Sequence, residues 1–78
     1  SINSAALAYI LAQEYAEAGK TLTNIKNPDA TTYYLRAILA ARMQQSADVK
    51  ENLAKAIALD PSLTQRAAND AEFSDYNK

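Results

Sequence analysis

An all-α fold of antiparallel helical hairpins is what this sequence predicts, and three observations predict it. Residues that favour helix, chiefly Ala, Leu, Glu, Lys, Gln and Arg, dominate a chain of 78 residues with one Gly and two Pro. Apolar residues recur at i, i+3, i+4 and i+7 in successive segments, the spacing of one helical face. Polar or Pro-containing breaks separate the segments: Gln13-Glu14, Asn27-Pro28-Asp29, Gln44-Gln45-Ser46 and Asp60-Pro61.

Ile2, Ala5, Ala6 and Tyr9 give the inward stripe of a first helix that runs to about Gln13. Tyr15, Ala18, Leu22 and Ile25 repeat the spacing, so a second helix runs from Tyr15 to about Ile25. Gly19 lies inside it at a cost of roughly 1 kcal/mol relative to Ala, tolerable where a close neighbour requires a small residue. Asn27 suits an N-cap, Pro28 the first helical position and Asp29 the first turn, so a third helix begins there. Its stripe is Tyr34, Ala37, Ile38 and Ala41, widened by Leu35 and Leu39. Ser46 caps a fourth helix carrying Val49, Leu53, Ala56 and Ile57. Asp60-Pro61 repeats the cap-plus-Pro device and opens a fifth helix to about Asn69, after which Asp70 caps a short turn with Phe73 and Tyr76.

The length allows one domain with one small core, a size at which self-association or support from neighbours is common. Net charge is -1 with both signs interspersed, which argues against nucleic acid as a partner. The longest apolar run, Ala5 to Ala12, falls far short of the roughly 20 residues of a spanning helix, so no direct membrane insertion is expected. The absence of Cys removes disulfides without fixing a compartment. The chain begins at Ser1 with no secretory segment, which reads as a processed protein or a piece of a longer one.

Catalysis is not expected. There is no His, so Ser4, Ser46, Ser62 and Ser74 lack the base that would activate a nucleophile. Gly19 alone cannot build a phosphate loop, and no cofactor is implied. Asp70, Glu72 and Asp75 offer carboxylates to a cation, but no Gly-containing loop spaces them, and capping or solvation explains them better.

The stretch Asn52 to Leu63, Asn-Leu-Ala-Lys-Ala-Ile-Ala-Leu-Asp-Pro-Ser-Leu, resembles the close of a tetratricopeptide repeat. Ser62 to Tyr76 resembles the helical cap that follows such repeats. Ala6, Ala8 and Tyr9 match the small and Tyr positions of a first helix, and Ala18, Leu22 and Ile25 match those of a second. Leu53, Ala56 and Pro61 keep register in the second copy. Ile2 stands in place of Trp, Gln13 and Gln44 in place of the turn Gly, and Val49 in place of Ala, and the linker between copies is short. The resemblance implies two degenerate repeats, residues 1–27 and 28–61, then a capping helix and tail at 62–78, together a fragment of a right-handed α-α superhelix. It also implies a non-catalytic module that binds a protein or peptide in the groove of its first helices. The alternative is a terminal cap or spacer of a larger protein; a small enzyme or metal-binding domain is more remote. The ending further resembles repeat tails on larger bacterial cell-envelope proteins, which implies the periplasmic side as a setting.

Candidate contact residues follow. With Ile2, Ala5, Ala6 and Tyr9 turned to the second helix, the 100° helical step rotates Leu7, Ile10 and Leu11 toward the groove. Asn3, Arg36 and Arg42 are the residues that could grip a peptide carboxylate. Tyr9 and Tyr15 suit the core beside Ala, while the adjacent Tyr33 and Tyr34 cannot both point inward, so one of them is a contact candidate. The expected partner is a protein, a peptide or a second copy of the chain.

Overall fold

A computed structural model describes residues 1–77. In chain order the elements are α1 (Ile2–Leu11), α2 (Tyr15–Thr23), α3 (Ala30–Arg42), α4 (Ser46–Leu59), α5 (Leu63–Asn69) and a 3-10 strap (Ala71–Tyr76). The described residues contain no strand. The fold is therefore all-α.

Polar contacts set the helix directions. Asn3 near the start of α1 meets Thr32 and Asp29 at the start of α3, and the Ile10 carbonyl near the end of α1 accepts from Arg42 at the end of α3. These two helices run the same way. Leu22 of α2 meets Arg36, whereas Gly19 meets Leu39, so α2 runs against α3. The chain is thus a pair of antiparallel hairpins, α1–α2 and α3–α4, with α5 and the strap at the end. A single core joins them: Ala6 and Ile10 of α1, Ala18 and Leu22 of α2, six residues of α3, Val49 and Ala56 of α4, Leu63 and Ala67 of α5, and Phe73 of the strap. The radius of gyration, 11.4 Å, is close to the roughly 11.5 Å of a globule of this length.

Both hairpins close with the same turn. After α1, the Gln13 N–H bonds the Ile10 carbonyl and the Glu14 N–H bonds the Tyr9 carbonyl; after α3, Gln44 bonds Ala41 and Gln45 bonds Ala40 in the same pattern. This is the Schellman arrangement, which satisfies the last carbonyls of a helix and requires a left-handed residue. Gln13 (φ 62°) and Gln44 (φ 59°) take that conformation, which Gly adopts without the steric cost a side chain brings.

Several helix starts differ from expectation. Asp29, not Asn27, caps α3: its carboxylate accepts from the Thr32 N–H at 2.9 Å while the Thr32 hydroxyl accepts from the Asp29 N–H, a reciprocal capping box. Pro28 accordingly precedes the cap. Ser46 is the first residue of α4 rather than its cap, because the turn at Gln44 places Gln45 at the cap position without a side-chain bond. Asp60 ends α4 and accepts from the Ser62 N–H and hydroxyl, so α5 starts at Leu63 after Pro61. Asp70 does cap the final turn, accepting from the Glu72 N–H at 3.0 Å.

The phase of α1 also differs. Ile2 is 59% exposed and Ala5 is exposed, while Ala6 and Ile10 are fully buried and Tyr9 is half-buried. The helix is rotated so that Ile10 enters the core instead of facing a groove. Because α1 is apolar almost all round, its spacing is compatible with more than one inward face. Gly19 has no steric need behind it: a Cβ there would lie 3.8 Å from Leu39 Cδ2, an ordinary van der Waals distance.

Candidate groove between α1, α3 and α5

One concave surface runs between α1, α3 and α5. Leu7, Leu35, Ile38 and Leu63 supply apolar walls, Tyr34 the floor, and Asn3, Ser4, Thr31 and Arg66 the polar lining; the space measures about 170 Å³. Leu7 is 39% exposed, and Leu11, one turn on, is 63% exposed. The Arg66 guanidinium stacks over the Tyr34 ring at 4.7 Å from its centroid.

Tyr34 is buried beneath Arg66 of α5 and Phe73 of the strap. Its hydroxyl donates to Asp70 Oδ2 at 2.6 Å, and its ring meets Phe73 edge-on, with centroids 5.4 Å apart. Burial first, and then the bond to Asp70, pushes its phenol well above the ordinary range. Tyr34 thus lines the groove with a ring that Arg66 covers and with no free hydroxyl. Tyr33 is the outward member of the pair, half-buried between Arg36 (5.3 Å) and Lys55 (5.6 Å).

The residues expected to grip a carboxylate are bonded within the chain. Arg42 forks onto Glu72, with Nε at 3.0 Å from Oε1 and Nη2 at 2.7 Å from Oε2, and donates to the Ile10 carbonyl at 3.1 Å. Its bonds to Glu72 and then to Tyr15 raise its already high pKa further. Arg36 donates to the Leu22 carbonyl at 2.7 Å. Two arginines of α3 therefore add a second donor to carbonyls at the ends of α1 and α2 that already accept from the Gln13 and Ile25 N–H groups.

Asn3 is similarly engaged. Its amide donates to Asp29 Oδ1 at 3.2 Å, and its carbonyl oxygen lies 3.0 Å from the Thr32 hydroxyl, which is itself 2.9 Å from Asp29 Oδ1. The backbone and side-chain bonds from Thr32 hold the Asp29 carboxyl below its ordinary value, outweighing the small penalty of burial. Thr32 is the buried polar residue of the core, and among the described residues no buried side-chain polar atom lacks a partner.

Of the predicted contact residues, Asn3, Leu7 and Tyr34 line the groove, whereas Ile10, Leu11, Tyr33 and Arg42 do not. Leu35, Ile38, Leu63 and Arg66 were not expected there. Leu63 and Arg66 are one turn apart on α5, so the helical spacing of that segment carried a signal for their shared face. Among the described residues no cluster of His, Cys, Asp or Glu is arranged to hold a metal ion, and no helix is long and apolar enough to cross a membrane. Compared with known proteins, the chain matches no family model, no curated protein and no solved structure.

Proposed function

We propose that the chain is a non-catalytic protein-interaction module of the tetratricopeptide type, which takes an apolar side chain of a protein or peptide into the groove between α1, α3 and α5. The observation that carries this reading is the groove itself: parallel first helices, an aromatic floor and room for one large side chain. The matched left-handed turns at Gln13 and Gln44, 31 positions apart, support a repeat of one hairpin plan. Full burial of a Leu- or Phe-sized anchor is worth roughly 1.5 to 3 kcal/mol. That is well short of the roughly 8 kcal/mol of a micromolar site, so the anchor by itself gives a weak site to which polar contacts add. Thr31 and Arg66 are placed to supply such contacts, while Asn3 and Ser4 line the same groove with side chains already bonded within the chain.

Selection of a displayed random peptide library on the immobilised chain tests the reading. Enriched peptides should share one apolar anchor, and Leu7→Lys in the module should weaken them at least tenfold. An absence of enrichment, or peptides indifferent to Leu7→Lys, contradicts it.

A further inference from the structure

The strap is held to α3 by a short run of specific contacts. Asp70 accepts from the Tyr34 hydroxyl, Glu72 takes the Arg42 fork, and Phe73, with no exposed surface, stands edge-on to the Tyr34 ring. Four consecutive residues thus carry two carboxylates and an aromatic anchor onto a surface with a phenol, a guanidinium and an apolar hole. That combination is the anatomy of a peptide-recognition site, an anchor in a pocket with charge complementarity at its side. The strap rests on α5 as well: Asp70 leaves α5 in an extended conformation (φ -81°, ψ 123°) with its N–H donating to the Ala67 carbonyl, and Asn77 beyond the strap donates to the Ala67 and Ala68 carbonyls.

We propose that the α3 surface bearing Tyr34 and Arg42 is an acceptor for an Asp-x-Glu-Phe segment, filled in cis by residues 70–73 and able to take the same segment from a second copy of the chain. Exchange of an identical element needs no new contact, because each bond broken in cis is remade in trans. The tether keeps the cis form dominant. A segment this close to its site has an effective concentration on the order of millimolar, so wild-type copies exchange only when concentrated or when the strap is loosened.

Two full-length variants separate the halves of the site. Phe73→Ser removes the anchor but keeps the acceptor; Arg42→Glu sets like charge against Glu72 and keeps the strap. Each alone should sediment as a monomer, and an equimolar mixture should form a 1:1 complex. A synthetic peptide of residues 70–77 should bind Phe73→Ser at least tenfold more tightly than wild type, and Glu72→Lys in the peptide should weaken it at least tenfold. Helical variants that form no complex and bind no peptide overturn the proposal. Should Phe73→Ser lose its helical signal, full-length Glu72→Lys, which leaves the ring in place, becomes the acceptor. Loss of helix in both variants contradicts a detachable strap.

Discussion

α1 and α3 occupy the same place in their hairpins, yet the more apolar of the two is the less buried. Ten residues of α1 contribute Ala6 and Ile10 to the core; α3 contributes Thr32, Tyr34, Leu35, Ala37, Ile38 and Ala40. The difference lies in neighbours, because α3 packs against α1, α2, α4 and the strap, whereas α1 packs mainly against α2 and less against α3. Burial in such an array is set by position in the stack, and an apolar helix at its edge retains Ile2, Leu7 and Leu11 at the surface.

The largest expected effect comes from truncating the core side of α1. Ile10→Ala should cost about 2 to 5 kcal/mol, whereas Leu11→Ala should stay within about 0.5 kcal/mol in thermal or denaturant unfolding. Equal costs at the two positions would mean that α1 is not one-sided.

Next in size is the dependence of α1 on α3. Arg42→Gln removes the fork to Glu72 and the bond to the Ile10 carbonyl, and should cost about 1 to 2 kcal/mol, since both partners of the ion pair retain about a quarter of their exposure. The loss should shrink in high salt. A salt-independent loss would assign the effect to packing of the Arg stem.

Asp29 serves both helices, capping α3 and holding Asn3 of α1, so Asp29→Ala should cost about 1 kcal/mol. Its folded pKa is depressed, so this stabilisation is complete above the unfolded value near roughly pH 4 and is lost as the pH falls through the folded value. Denaturant midpoints of wild type and Asp29→Asn across pH 2 to 6 report it: the wild type should lose more than the variant on acidification.

The smallest effects are gains, and they compare the hairpins directly. Gln13→Gly and Gln44→Gly relieve left-handed residues and should each stabilise by about 0.5 to 1 kcal/mol. Gly19→Ala should add a similar amount, since the new methyl group meets Leu39 at an ordinary distance. Unequal gains at the two turns would show that the hairpins do not bear the same strain.

Much of the fold was legible in the sequence. Helix existence followed from spacing and punctuation, and Ala6, Ala18, Ala37, Val49 and Ala56 were placed inward by that spacing and are buried. A cap was expected to follow the second hairpin; α5 packs on α4, and the strap packs on α3 and α5. The cause is the pairing of Glu72 and Asp70 with Arg42 and Tyr34, contacts between residues 30 and 36 positions apart that no local pattern announces. The groove was legible in part: Leu7 and Asn3 line it, but the phase of α1 was not fixed by its composition. Ile10 could be placed only once α3 was known to approach from that side. Arg36 and Arg42, read as hands for a peptide, are bonded within the chain instead, Arg42 to Glu72 and the Ile10 carbonyl and Arg36 to the Leu22 carbonyl, partners far from them in sequence.

Thiol labelling tests the one-sidedness of α1 most directly, because the chain has no Cys and each introduced thiol reports alone. Leu7→Cys, Ile10→Cys and Leu11→Cys would be reacted with an excess of aromatic disulfide under native conditions. The account predicts that Leu11→Cys reacts at nearly the rate of the unfolded chain, that Leu7→Cys is intermediate, and that Ile10→Cys is protected at least 100-fold. Rapid labelling of Ile10→Cys with protection of Leu11→Cys would contradict it, returning Ile10 to the groove and the outer face of α1 to the core.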